Sequence, residues 1–141
     1  MKRAEVLQAL SREHNRALLL ARTARRAAAS GDAAVVHASW CELEAAWHDE
    51  MAAHFAAEER GVIPLLSELG EDALAARLLR EHRAIRRTIT ERERWSAARL
   101  AALADVLRDH VRCEERRAFP LVEAGVGPDR LAGLLADHAD D

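Results

Sequence analysis

Two stretches of the sequence carry the same residue types at the same spacing. One begins at His54 and ends in Pro64-Leu65; the other begins at His110 and ends in Pro120-Leu121. In both copies two glutamates follow the histidine at the fourth and fifth positions, so on a helix the histidine and the first glutamate share one face. Such a pair can bind one metal ion, or its carboxylate can bridge to a second ion. Two pairs on two helices predict a dinuclear metal site.

A shorter motif, Arg-Glu-His, precedes each copy and ends at His14 in one case and at His82 in the other. The chain is therefore predicted to use one helical hairpin twice, each hairpin supplying a lone histidine and a His/Glu pair. The candidate metal ligands are His14, His54, Glu58, His82, His110 and Glu114. Buried carboxylates are costly to ionise without cations beside them. Two divalent or trivalent metal ions would neutralise them and would accept neutral imidazole as a donor.

The elements that must position these residues are helices. Half of the 141 residues are hydrophobic, alanine and leucine dominate, and only 4% are aromatic, a composition that favours helix. Four main helices are predicted from their caps, glycines and prolines. The first covers residues 3–29. The second begins at Asp32, is bent or interrupted at Gly61 and Pro64, and is ended by Gly70. The third runs from Glu71 to a turn at Trp95-Ser96, and the fourth begins at Ser96 and is kinked or ended by Pro120.

The predicted turns place the four candidate histidines at one height. In an antiparallel helix pair, residues equidistant from the turn lie level, because both helices rise equally per residue. The midpoints between successive candidate histidines fall at residues 34, 68 and 96, each close to a predicted turn. The sequence therefore predicts an all-α, up-down-up-down four-helix bundle in a single domain over residues 1–141. A short fifth helix, starting at Pro128 and carrying Leu131, Leu134 and Leu135, should cap one end.

Charge, hydropathy and cysteine content exclude several classes of protein. The net charge of −3 gives no general attraction for nucleic acid or for an anionic membrane. No segment is long enough to span a membrane, and the aliphatic run Leu18-Leu19-Leu20 is too short for a signal peptide core. A cytoplasmic protein is therefore expected. Cys41 and Cys113 are too few for a disulfide framework, and both are predicted to be free thiols.

The four histidines and two His-x-x-x-Glu pairs resemble the hemerythrin-like, HHE cation-binding family over roughly residues 8–122. The resemblance implies a non-haem di-iron centre, with two iron ions as the cofactor, inside a four-helix bundle. It assigns His14 and His54 to one iron and His82 and His110 to the other. The glutamates of the two pairs, Glu58 and Glu114, would bridge the two ions.

One position departs from the oxygen carriers of that family, which have a second histidine four residues after the one on the third helix. In this sequence Arg86 follows His82 at that spacing, and a guanidinium cannot bind a metal. The missing ligand would leave an additional coordination position open to water or to an external ligand. Glu50 and Glu81 are alternative replacements, whereas Arg86 is expected to point to solvent or to pair with a site carboxylate.

Other polar residues near the repeats have less specific interpretations. His37, His48 and His138 are predicted to lie on the surface, away from the level of the site. Glu59 and Glu115 follow the candidate glutamate ligands directly. They either accept hydrogen bonds from ligand imidazoles or are solvated surface charges.

The function that the resemblance implies is the binding or sensing of oxygen, nitric oxide or hydrogen peroxide, with this small molecule as the expected partner. Iron storage or delivery, including the repair of iron–sulfur centres, is a second interpretation. Peroxidase-like or catalase-like turnover is a third, since an open coordination position permits it. The competing class is a structural or interaction bundle whose site holds zinc or manganese. The sequence has no separate nucleophile or acid–base dyad.

Overall fold

Long α-helices joined by short turns form the structure, a computed structural model that describes residues 3–139. Within that range there is no β-strand, which confirms the all-α prediction. The α-helices in chain order are α1 (Glu5–Ala29), α2 (Ala33–Ala46), α3 (Ala52–Arg60), α4 (Val62–Glu68), α5 (Asp72–Thr90), α6 (Ala97–Cys113), α7 (Phe119–Gly125) and α8 (Pro128–Ala139). None of these helices is long and apolar enough to cross a membrane.

The turns between the long helices lie where caps and glycines predict them. Gly31 and Gly70 have φ values of +72° and +81°, a backbone conformation that only glycine adopts without strain. The Asp32 side chain accepts hydrogen bonds from the first turn of α2, and the Ser96 side chain accepts one from Arg99 N–H of α6. These two caps satisfy N–H groups that have no partner inside the helix.

Two π-helical turns, which the sequence did not predict, lie beside the repeated motifs. Trp47–Met51 joins α2 to α3, and Glu114–Ala118 joins α6 to α7 without a break. The alternative that Pro120 ends the helix is wrong, because helical structure continues through Pro120 to Gly125. Single π-helical turns inside α-helices often mark functional sites.

Two hydrophobic clusters fill the interior of the protein. The first includes Trp40, Leu43, Phe55, Ile85 and Leu107; the second includes Leu7, Leu10, Leu66, Leu78 and Phe119. The four candidate histidines lie on α1, α3, α5 and α6. Each is found where its helix passes from one cluster to the other. The six candidate ligands therefore form a polar layer between two apolar clusters.

Packing of the helices explains how this layer is assembled. Helix α1 packs along α6 and against α2, whereas α5 packs against α4 and α6. The C-terminal α8 folds back against α1 and α3.

Cys41 is half-buried and Cys113 is buried, and both are free thiols, as predicted.

Candidate metal centre

All six candidate ligands converge in the interior, where each residue is at most 4% exposed. Their ligand atoms form two groups of four, with the atoms of each group within 4.8 Å of one another. One group contains His14 and His54, the other contains His82 and His110, and both contain Glu58 and Glu114. Each group could hold a metal ion, and the two groups share two carboxylates.

The two glutamates each contact both histidine pairs. Glu58 Oε2 lies 3.0 Å from His54 Nε2, and Glu58 Oε1 lies 3.0 Å from His82 Nε2. Glu114 Oε1 lies 2.9 Å from His14 Nε2 and 3.2 Å from His110 Nε2. Each carboxylate thus spans the two groups, which is the geometry that a bridging ligand needs.

Four carboxylates surround the centre as an outer ring, and each one contacts Nδ1 of one of the four candidate histidines. The Nδ1···Oε distances are 2.6 Å for His14–Glu115 and 2.8 Å for His54–Glu13, His82–Glu59 and His110–Glu81. An ionised carboxylate only accepts hydrogen bonds, so each Nδ1–H donates. The lone pair of every neutral imidazole is then on Nε2, directed at the centre, which is the tautomer that a metal ion requires.

The outer ring follows the repeats in the sequence. Glu13 and Glu81 directly precede a candidate histidine, and Glu59 and Glu115 directly follow a candidate glutamate. For Glu59 and Glu115 the structure supports the hydrogen-bonding interpretation rather than the solvated one. The role of Glu13 was missed, although the repeated Glu-His dipeptide was a usable signal for it.

Neither alternative replacement for the seventh ligand reaches the centre. Glu81 binds His110 Nδ1 and Arg77 Nε, and Glu50 accepts from Arg16 Nε at 2.9 Å. The Arg86 side chain is 47% exposed, with Nη2 3.8 Å from Glu59 Oε2. Arg86 is therefore half exposed to solvent, and the carboxylate it approaches belongs to the outer ring and is not one of the two candidate ligands.

The donor set fits metal cations. His14 Nε2 and His54 Nε2 lie only 3.1 Å apart, and with Nδ1–H on the outer face both would direct lone pairs at each other. His110 Nε2 and Glu114 Oε2 are buried without a hydrogen-bond partner. Opposed lone pairs and orphaned buried acceptors are costly unless protons or metal ions lie between them.

Electrostatics at the centre favour positive charge. Burial lowers the pKa of His54, but the charge of Glu58 and the hydrogen bond to Glu13 outweigh it and raise that pKa to about 9. Burial also lowers the pKa of His110, yet Glu114 raises it to about 10. His54 and His110 therefore hold protons firmly when no metal is bound, and a metal ion must displace them.

A small apolar cavity adjoins the centre. It has about 10 Å³ of space, roughly that needed by one water-sized molecule. Its apolar wall is formed by Met51, Phe55, Leu107 and Val111, and it reaches His54 and His110. The Phe55 ring stacks on His82 at 3.9 Å, and Trp47 packs edge-on against Phe55 at 5.5 Å.

The prediction that His138 lies on the surface is wrong. Its side chain is only 7% exposed, and Nε2 lies 2.7 Å from Glu13 Oε1. The midpoints between the candidate histidines give the relative heights of the four main helices. They contain no information on where α8 docks. His37 and His48 are exposed, as predicted.

Comparison with known protein families agrees with this geometry. The family model described as the hemerythrin HHE cation binding domain matches residues 5–122. Neither a curated protein nor a solved structure matches the chain. The matched range contains all six candidate ligands and all four outer carboxylates, and it ends before α8. Because the match covers most of the sequence and the whole of the centre, the chain belongs to the hemerythrin HHE cation-binding domain family.

Proposed function

We propose that this protein holds two iron ions and uses them to bind or sense a small diatomic molecule or a peroxide. The observation that carries the proposal is the pair of two-histidine groups that share Glu58 and Glu114. His14 and His54 would hold one ion, and His82 and His110 the other. The family supports a cation site, and we infer iron from the resemblance to the oxygen carriers. Bound iron would supply redox chemistry and an exchangeable coordination position.

The protein's own residues would prepare that site in two ways. The outer carboxylates hold each imidazole in one tautomer and one orientation, which removes the cost of ordering the ligands when metal binds. The apolar cavity beside His54 and His110 would admit only a ligand of a few atoms. Oxygen, nitric oxide and hydrogen peroxide are of that size.

We further propose that the four main helical segments alternate in direction around this layer.

A resident cofactor suits the geometry better than stored iron. The six ligands are almost completely buried, and four further carboxylates hold the imidazoles from outside. A site built in this way favours slow exchange of a fixed number of ions, whereas storage or delivery needs ready release.

We expect the iron(II)-loaded protein to oxidise rapidly in air instead of storing oxygen reversibly. Arg86 occupies the position of the seventh ligand, so more than one coordination position would be open to water or to an external ligand. Stopped-flow absorption after mixing with oxygen, nitric oxide or peroxide measures the reaction.

The variant Arg86→His should restore the missing donor and slow oxidation by oxygen. The matched control is Arg87→His, one position along α5, where the native side chain is 76% exposed. That control should behave like the wild type. An oxygen-dependent absorption change in the wild type that reverses under vacuum over many cycles would refute the proposed reactivity.

A further inference from the structure

Helix α8 lies beyond the part of the chain that matches the family and docks through one face. Leu131 and Leu135 are each 1% exposed, and His138 follows them at the spacing that keeps all three on the same face. Leu135 packs directly on Gly61, where an added Cβ would lie 2.8 Å from Leu135 Cδ2. Glycine at position 61 therefore allows α8 to approach closely enough for His138 to reach the interior.

His138 is joined to a candidate metal ligand through one carboxylate oxygen. His138 Nε2–H donates to Glu13 Oε1 at 2.7 Å, and His54 Nδ1–H donates to the same oxygen at 2.8 Å. The His138 and His54 rings are 6.3 Å apart and nearly perpendicular. A carboxylate oxygen has lone pairs enough to accept from both histidines at once.

Glu13 differs from the other three outer carboxylates in where its second partner comes from. Glu81 is also held by Arg77 at 3.1 Å and Glu59 by Arg86 at 3.8 Å, and both partners lie within residues 5–122, the range that the family model matches. Glu115 is held by Ser11 at 2.7 Å and by Arg3, just before that range, at 3.3 Å. The second partner of Glu13 comes from α8.

We propose that His138 is a positioning residue for the metal site formed by His14 and His54. Helix α8 orients Glu13, Glu13 orients the His54 ring, and the C-terminal helix thereby sets the affinity of one ion of the pair. This inference rests on the proposed dinuclear function. The two sites are then unequal: among residues 3–139, His138 and Arg3 lie outside the matched range, and both contact outer carboxylates of the His14/His54 site.

The test is an anaerobic titration of the metal-free full-length chain with cobalt(II), followed by its visible absorption. The wild type should bind two ions. His138→Ala should weaken one of the two by about 10–100-fold, the usual cost of losing a group that orients a ligand. His138→Gln can still donate an N–H to Glu13 and should retain most of the affinity. His48→Ala removes an exposed histidine and should match the wild type.

The second arm of the test approaches the same link from α1. Glu13→Gln should weaken the same single ion, and the double variant with His138→Ala should be no weaker than Glu13→Gln alone. Additive losses in the double variant would overturn the proposal, as would unchanged or equally reduced affinities for both ions in His138→Ala. A wild type that does not bind two ions would contradict the proposed function itself, which is a different outcome.

Discussion

Replacing Glu58 with alanine is expected to abolish the binding of both metal ions. One oxygen of this carboxylate lies 3.0 Å from His54 Nε2, and the other lies 3.0 Å from His82 Nε2, so a single side chain serves both histidine pairs. The Glu58 side chain is also fully buried. The loss in affinity should exceed the roughly 10–100-fold that removal of an outer hydrogen-bonding partner costs.

The metal-to-protein ratio after dialysis, measured by elemental mass spectrometry, tests this expectation. Glu114→Ala should behave like Glu58→Ala because Glu114 also contacts a histidine of each pair. Glu93→Ala removes an exposed glutamate from the turn before α6 and should retain two ions. Retention of one ion in Glu58→Ala would show that Glu58 binds a single metal and does not bridge.

The second large effect is on the stability of the metal-free protein, which should fall as the pH rises from about 6.5 to about 10. The pKa of His54 is raised from 6.5 to about 9, and that of His110 from 6.5 to about 10. A folded-state pKa above the unfolded value contributes stability that is complete below the unfolded pKa and is lost as the pH passes the folded one. At about 1.4 kcal/mol per pKa unit, the expected loss is several kcal/mol.

The metal-loaded protein should lack this pH dependence, because bound metal replaces the protons on Nε2. Denaturant unfolding at pH values across that window, with chelator and with saturating metal, gives the two profiles. Their separation should widen as the pH rises. Parallel profiles would mean that the metal does not replace protons on these imidazoles.

The six residues at the centre could be predicted because two independent features of the sequence place them together. The four-residue spacing fixes a face within each helix, and the turns at Gly31, Gly70 and Ser96 fix the heights of the helices relative to one another. Either constraint alone leaves many arrangements open. Together they predict that His14, His54, His82 and His110 meet, and the structure brings these four side chains together.

The π-helical turns could not be predicted from the same periodicity. Each inserts an additional residue into a turn, so the apolar face of the helix shifts relative to a constant repeat of 3.6 residues. The sequence around Trp47–Met51 contains no glycine or proline that would mark such a change. The continuation of the helix through Pro120 was missed for the same reason.

The outer ring and His138 depend on contacts between helices that are distant in the sequence. Glu59 lies one residue beyond a candidate ligand, and only the packing of α3 beside α5 decides whether it faces water or His82 Nδ1. His138 is 125 residues from Glu13, and its burial requires α8 to dock on Gly61. Local patterns contain no information about such docking.

The most direct test of the dinuclear account is the metal content of the protein purified without added metal, measured together with its absorption spectrum. We expect two irons per chain and a visible band that changes when oxygen or peroxide is added. Stoichiometric zinc or manganese in a colourless protein would contradict the account and would favour a structural or interaction bundle.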